Sequence, residues 1–325
     1  MALTPTRQAL LRLLADGAWH SGAGLGAALG ISRTAVWKAL DGLDALGVAL
    51  ERVPRRGYRI PGGIDLHDAA AIRAALSAPA RALLADLQVL AEVESTNEFL
   101  KGISALPPGR GSCCLAELQT GGRGRLGRTW VSPFARNLYL SVAWQFDGGI
   151  AVLEGLSLAV GVAVRRALGA LGVADIGLKW PNDLLREGAK LGGILVEVSG
   201  DPEGCCRAVV GVGVNVAMPP PAAAAIDQPW RDLRDLGLRR DALAVAVLDE
   251  LLPLLREFPA RGFGAYREEW EAAHVHRGRR VALGTGDRQV EGIALGVDQR
   301  GALGIRCADG VRWFSGGEVS LREHR

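Results

Sequence analysis

Leucines at 10, 11, 13 and 14 fall at the spacing of one helix face, so the chain predicts a first helix over Thr6 to Ala15. Ser21 precedes a second apolar pair, Leu25 and Leu29, and Gly30-Ile31 reads as a tight turn. Ser32 then stands as N-cap of a third helix whose Val36, Leu40, Leu43 and Leu46 share a face, while Arg33, Thr34, Trp37, Lys38 and Asp41 occupy the opposite one. Short helix, turn and capped helix with a polar-basic face is the pattern of a helix-turn-helix whose second helix enters the major groove. Downstream, Arg52-Val53-Pro54-Arg55-Arg56-Gly57-Tyr58-Arg59 predicts a short hairpin with four arginines, a wing able to lie along phosphates. A helical docking domain with a solvated basic face would share part of this pattern; the basic wing favours DNA. Ser32, Arg33, Thr34, Trp37, Lys38, Arg55 and Arg56 are the expected DNA contacts. Pro61-Gly62-Gly63 closes a domain of residues 1–63 as a linker.

Helical stripes such as Val160 to Leu171 then alternate with strand-like runs at Leu138 to Phe146, Ile194 to Val198 and Ala208 to Val216, which predicts a mixed α/β domain over 66–271. Within it Pro219-Pro220-Pro221-Ala222 is expected as an exposed loop. Over 275–325 short alternating strands are separated by the turns Gly284-Thr285-Gly286-Asp287, Asp298-Gln299-Arg300-Gly301 and Asp309-Gly310, the pattern of a small β-barrel. The fold class is α+β with several domains.

Composition adds limits. The 325 residues, 49% apolar and 22% charged, suit a globular chain with room for two or three cores. The best apolar run, Gly155 to Val164, stops at Arg165-Arg166, short of a membrane span, and Arg7 and Arg12 interrupt the first leucines where a secretory signal would need them absent. A cytoplasmic chain without a membrane partner is expected. Five cysteines, with the adjacent pairs Cys113-Cys114 and Cys205-Cys206, fit neither a disulfide framework nor zinc spacing, so free thiols are expected. Residues 1 to 65 hold eight basic against five acidic side chains and the other 260 hold thirty of each, so the net charge of +3 belongs to the segment that carries the wing.

The densest chemistry lies at Gly122-Arg123-Gly124-Arg125-Leu126-Gly127-Arg128, followed by Trp130. Glycines let backbone N–H groups approach a ligand, and arginines supply planar forks for carboxylate or phosphate oxygens. The glycines also satisfy the dinucleotide spacing, with Asp147 at about the distance of a ribose-binding acid. That reading fails locally, because Arg128-Thr129-Trp130-Val131-Ser132-Pro133 cannot start the helix it needs. Lysine is a second pointer. Of 38 basic residues only Lys38, Lys101, Lys179 and Lys190 are lysine, so Lys179, in Leu178-Lys179-Trp180-Pro181-Asn182-Asp183, and Lys190, before the strand run at Ile194, stand out as compact ammonium groups.

These segments, with Glu94-Ser95-Thr96-Asn97 and Gly211-Val212-Gly213-Val214-Asn215, occur in an order that resembles the biotin–protein ligases. The N- and C-terminal regions are similar to the longer, repressor-type members, which implies a winged helix-turn-helix and an SH3-like β-barrel at the two ends. The resemblance implies ATP and biotin as substrates, Mg²⁺, biotinyl-5′-adenylate as intermediate and a biotin carboxyl carrier protein, a subunit of acetyl-CoA carboxylase, as acceptor. It also implies repression at the operator of biotin-synthesis genes by a homodimer formed with the adenylate.

Carried over by position, Lys190, Arg123 and Arg125 would stabilise charge during adenylation. Ser95, Thr96, Asn97, Gln119, Gly122, Arg123, Gly124, Arg125 and Lys190 would hold biotin, and Arg125, Arg128, Trp130, Lys179, Asn182, Asp183 and Asn215 the nucleotide, Asp183 also Mg²⁺. Read locally, Ser95 with Glu98 is also a helix capping box, and Asn215 an ordinary strand-end residue. Val131 departs from the aromatic residue some relatives carry beside the adenylate. A biotin sensor without turnover, or a ligase for another short acid such as lipoate, would share these residues.

Overall fold

The computed structural model describes residues 3–285, 288–315 and 319–323. Gly286 and Asp287 of the first turn predicted in the C-terminal region, and the last two residues of the chain, lie outside them.

Three helices open the fold: α1 (Pro5–Leu14), α2 (Gly22–Leu29) and α3 (Arg33–Leu40). Each has a hydroxyl cap, Thr4, Ser21 and Ser32, the last accepting from Ala35 N at 3.1 Å. Leu10, Leu11, Leu14, Leu25, Val36 and Leu40 bury together between them. The third helix is shorter than the apolar spacing predicts. Asp41 leaves helical geometry at ψ 138 and Gly42 takes the left-handed region at φ 76, so Leu43–Leu46 forms a separate 3-10 turn. The wing is the antiparallel hairpin β1 (Glu51–Val53) and β2 (Gly57–Arg59).

The segment expected as a linker is folded onto α1. Gly63 sits at φ 73 with no room for a side chain, since a Cβ would fall 2.4 Å from Ala15 O, and Ile64 N donates to the same carbonyl at 3.0 Å.

The central region contributes α4 (Ala69–Ala75), α5 (Ala78–Leu83), β3 (Leu84–Leu90), α6 (Thr96–Lys101), β4 (Gly111–Ala116), β5 (Leu138–Phe146), α7 (Leu156–Ala170), β6 (Ile176–Lys179), β7 (Asp183–Arg186), β8 (Ala189–Gly200), β9 (Cys206–Val214), α8 (Pro220–Ala223), α9 (Arg240–Arg261) and α10 (Arg267–Ala273). Seven strands form one sheet in the order β3-β4-β5-β9-β8-β7-β6, parallel at β3–β4 and antiparallel elsewhere. α7 and α9 cover one face and α6 part of the other, so β5 is buried on both sides: Leu140, Val142 and Trp144 join the main core, Ala143 the smaller one under α6. The proline run expected as a loop contains the one-turn helix α8, with Pro220 and Pro221 in the first turn, where a missing N–H costs no bond. The five cysteines are free thiols, Cys113 and Cys114 buried in β4.

β10 (Arg280–Thr285), β11 (Arg288–Val297), β12 (Leu303–Cys307), β13 (Gly310–Phe314) and β14 (Val319–Glu323) make the C-terminal antiparallel sheet, in the order β13-β12-β11-β10-β14. Val281, Leu283, Val297 and Ile305 pack into the central core, and Trp180 donates through Nε1 to Gly301 O at 3.0 Å.

A buried polar cluster ties the N-terminal region to the α/β region. Arg240, 2% exposed, pairs with Glu117 at 2.7 Å and donates to Asp65 O, while His67 N donates to the other Glu117 oxygen at 2.6 Å. Ala135 N donates to Glu117 O, and Phe134 and Ala135 pack with the helices of the N-terminal core. A charge buried to this degree is retained only when paired and hydrogen-bonded, so chain 65–67, α9 and the end of β4 are held together. Gln119 follows two residues after Glu117, on the wall of the site.

Candidate active site and nucleic-acid interface

Strands β5, β9, β8 and β7, the helix α6 and the loop after β4 line a cavity of about 840 Å³. On the α6 side Thr96 donates through both its backbone N and Oγ1 to Gln119 Oε1, at 2.9 and 3.1 Å. Gln119 Nε2 donates to Ser132 Oγ at 3.0 Å, and Ser132 in turn to Trp130 O. Ser141 Oγ lies 2.7 Å from Thr96 Oγ1 and 2.6 Å from Asn97 Oδ1, and Asn97 Nδ2 donates to Glu197 Oε2 at 2.8 Å. Ser95, Thr96, Asn97 and Ser141 are buried. The wall is thus a largely buried, cross-linked set of amide and hydroxyl groups backed by the Glu197 carboxylate behind Asn97, suited to a neutral ligand with its own donors and acceptor. The capping box does not form: Ser95 occupies the N-cap position of α6 without accepting a bond there, and Glu98 turns to Lys101 and Arg123.

The glycine-arginine loop is pinned at its ends. Gly121 N donates to Glu94 O, Trp130 N to Gly122 O, and Gly124 N to Arg128 O. Gly122 lies behind the cavity wall, and a Cβ there would come 2.4 Å from Trp130 O, so glycine is required for closure. Arg123, Gly124, Arg125 and Arg128 line the cavity. The three guanidinium groups do not converge on one point. Arg123 is held by Glu98 at 2.7 Å and Glu94 at 3.2 Å, whereas Arg125 reaches across to Asn182 Oδ1 at 3.4 Å. Burial pushes the Arg125 pKa down, and the Asp183 carboxylate acts against that shift.

Across the cavity Lys190 Nζ stands 2.8 Å from Asp183 Oδ1, both side chains mostly buried, and 5.7 Å from the Trp130 ring centroid. Trp130 lies against β8 and β9, where a Cβ on Gly213 would approach its ring to 2.6 Å. Lys179, Trp180, Pro181 and Asn182 make the turn between β6 and β7, Asn182 donating through Nδ2 to Ile194 O at 2.9 Å; Lys179, Asn182 and Asp183 all line the cavity. Asn215 does not reach this space. It donates to Arg231 O at 3.1 Å and borders a side chamber of about 60 Å³ shared with Trp130, Val131, Lys190 and Trp230.

Ser141, Ser132, Glu197 and His276 take part in or line the site and were not singled out in the sequence. Ser141 had a signal, a lone polar residue inside the apolar run of β5. His276 had none, since it arrives from the segment before the C-terminal sheet.

At the other end of the molecule Arg33, Thr34, Trp37 and Lys38 are exposed on α3, Trp37 to 48%, and Ser32 serves as the cap. Arg55 and Arg56 are exposed at the wing tip, Arg55 at φ 65.

Residues 89–215 match the Biotin/lipoate A/B protein ligase family, 276–322 the Biotin protein ligase C terminal domain and 6–59 an HTH domain. The chain is 39% identical over 316 residues to the bifunctional ligase/repressor BirA of Escherichia coli, covering 96% of each, and 28% identical over 315 residues to that of Bacillus subtilis, covering 93% of each. It is 36% identical to the biotin–[acetyl-CoA-carboxylase] ligase of Paracoccus denitrificans, over 71% of this chain and 98% of that one. Among solved structures, the biotin protein ligase from Aquifex aeolicus in complex with biotin and ATP aligns with a TM-score of 0.63 at 30% identity, covering 74% of this chain and all of that one. With the closed polar wall, the cationic loop and the three-part architecture already in place, a relative this similar over nearly its whole length puts the chain in the biotin–protein ligase family, among the members that carry an N-terminal helix-turn-helix domain.

Proposed function

We propose that the chain joins biotin to a lysine of a biotin carboxyl carrier protein at the expense of ATP, and that its N-terminal domain binds the operator of biotin-synthesis genes, so that ligase and repressor share one polypeptide. The observation that carries the ligase reading is the pairing of two unlike walls in one cavity: the neutral network of Thr96, Asn97, Gln119 and Ser141 on one side, and Arg125, Lys190 and Asp183 on the other. The first suits a ureido ring, the second a carboxylate meeting a triphosphate.

In the first step a biotin carboxylate oxygen attacks the α-phosphorus of ATP, the bond to the bridging oxygen breaks and pyrophosphate leaves. Two anions must be brought together. Lys190 and Arg125 are already oriented by Asp183 and Asn182, so little reorganisation is needed as charge grows on the phosphoryl oxygens. Arg123 and Arg128 extend the same loop over the ligand, and Trp130 offers its face to adenine, with Lys179 and Asn182 on the nucleotide side; Asn215, which faces only the side chamber, would act there through its neighbours rather than by direct contact. In the second step the carrier lysine, as free amine, attacks the acyl carbon and AMP leaves. Until then the loop at 122–128 keeps water from the anhydride.

Mg²⁺ is usually held by one or two carboxylates together with substrate phosphates, and Asp183, beside Lys190 in the cavity, would be the carboxylate to share it. When bound, the ion neutralises phosphate charge; Asp183 would then exchange part of its contact with Lys190 for the metal.

Biotin-dependent pyrophosphate release, measured beside lipoate and octanoate, tests the reading. Release with biotin and acylation of a carrier domain are expected. Turnover with lipoate or octanoate but not biotin would overturn the substrate assignment, and ligand binding without any release would leave only a sensor.

A further inference from the structure

The four arginines of the wing stand in different surroundings. Arg52 donates to Leu40 O at 3.0 Å and lies 3.5 Å from Asp41 Oδ1, and Arg59 donates to Glu51 Oε2 at 2.7 Å. Arg55 and Arg56, at the tip, enter no ion pair among the described residues. Arg56 is instead stacked, its guanidinium carbon 4.5 Å from the centroid of the Trp19 ring, with that of Arg59 at 4.9 Å from the same ring. Trp19 lies in the segment joining α1 to α2, half-buried.

Backbone bonds fix this arrangement. His20, the next residue, exchanges two hydrogen bonds with Tyr58, each of 2.9 Å, which lays the segment alongside β2. Only glycine permits the contact at 57: its φ is 111, and a Cβ would fall 2.0 Å from His20 O. The indole is therefore built into the wing rather than resting on it.

We infer that Trp19 is a positioning residue for the wing's phosphate contacts. A carboxylate partner would consume the in-plane N–H donors of Arg56. A stack uses one face of the guanidinium and leaves those donors for phosphate oxygens, while fixing a long side chain that would otherwise lose rotamer freedom on binding. The partner this arrangement fits is the phosphate backbone of duplex DNA, contacted without regard to sequence. The inference rests on the DNA-binding reading of the N-terminal domain and concerns how that binding is achieved.

Fluorescence anisotropy of the full chain with a short labelled duplex, over a salt series, tests it in a double-mutant cycle. Arg56→Ala is expected to lower the slope of log affinity against log salt by about one phosphate contact. Trp19→Leu is expected to weaken binding roughly two- to fivefold, the range of an exposed cation–π contact, and Trp19→Phe to restore most of it. With Arg56 already alanine, Trp19→Leu should add less than its single-variant loss, Arg59 alone then remaining over the ring, whereas a merely structural tryptophan would add its full effect. Arg56→Lys, which keeps the charge and a cation–π contact but loses the planar fork, should weaken binding less than Arg56→Ala and leave the salt slope near that of the wild type. Biotin transfer should be unchanged throughout. Wild-type binding by Trp19→Leu, or an additive loss in the double variant, overturns the inference alone; a wild-type chain that ignores the duplex at low salt removes the DNA-binding reading and the inference with it.

Discussion

Lys190 Nζ and Asp183 Oδ1 lie 2.8 Å apart, on neighbouring strands, with side chains 17% and 14% exposed. The lysine expected to meet substrate oxygens already has an anion, so substrate must replace or share it. A partner at that distance aims the ammonium at the cavity before the substrate arrives. Lys190→Ala is expected to lower the rate of adenylate formation by roughly 10² to 10³-fold, the range for losing one preorganised donor to developing negative charge. It also strands a largely buried carboxylate, costing about 1–3 kcal/mol, and Asp183→Asn in the same chain should recover part of that stability without recovering activity. Single-turnover pyrophosphate release and urea unfolding check both arms; a variant releasing pyrophosphate at the wild-type rate would remove Lys190 from the chemistry.

Arg125 should matter more for keeping the intermediate than for making it. The side chain is half-buried and spans the cavity to Asn182. Arg125→Gly removes one charge-assisted contact, about 1.5–3 kcal/mol, or on the order of tenfold to a hundredfold in retention of the adenylate. Escaped adenylate acylates lysines at random. Streptavidin blots of bystander proteins should therefore brighten with the variant, and equal labelling by variant and wild type would count against the assignment.

The junction with the C-terminal sheet predicts a pH dependence of stability. His274 lies tilted against Trp270 with centroids 4.5 Å apart, and burial, reinforced by His276 and Arg277, pushes its pKa down to about 3. The folded state thus keeps the ring neutral while the unfolded chain takes up a proton below about pH 6.5, so the unfolded state binds more protons between those values. Stability is full above about pH 6.5 and falls as pH drops toward 3, by up to about 1.4 kcal/mol per unit from this group. Urea midpoints at neutral and mildly acidic pH should separate for the wild type, and His274→Asn should narrow the gap. An unchanged gap would place the acid sensitivity elsewhere.

How far these residues could be read from the sequence depended on whether their neighbours in space were also neighbours in the chain. Ser32 and Gly122 make their contacts with residues close by in the chain, so local pattern located them, whereas Trp130 packs on β8 and β9 far along the sequence. The apolar spacing through Val36 and Leu46 pointed to one long helix, but it could not show that Asp41 and Gly42 end it, because the same residues pack on the same core either way. Ser141, Glu197 and the Lys190–Asp183 pair depend on strand register across β5, β9, β8 and β7, which hydrophobic alternation does not specify. The resemblance to a family supplied positions for the ligand but no partners within the chain. That Arg123 is held by Glu98, and Arg56 by Trp19, follows only from how the folded chain brings them together.

The two ends of the molecule should communicate. The charge of residues 1 to 65 allows only a handful of phosphate contacts per chain, so specific binding is expected to need two chains on half-sites related by a two-fold axis. A route to the ligand is built in: the loop at 122–128 runs through Trp130 and Ser132 into Phe134 and Ala135, which belong to the apolar core of the helix-turn-helix domain. Glu117, two residues before Gln119, is bonded through His67 and Arg240 to the same junction. If the adenylate orders the loop and thereby completes a dimer surface, DNA affinity and adenylate affinity must rise together by the same factor. Gel shifts on the promoter region of biotin-synthesis genes, with and without biotin and ATP, beside sedimentation, should show tighter binding and a dimer only with both ligands. Arg55→Ala with Arg56→Ala should weaken the shift and its salt dependence while biotin transfer stays intact. Equally tight binding without ligand, or a liganded monomer on that DNA, would sever the coupling and leave the ligase standing alone.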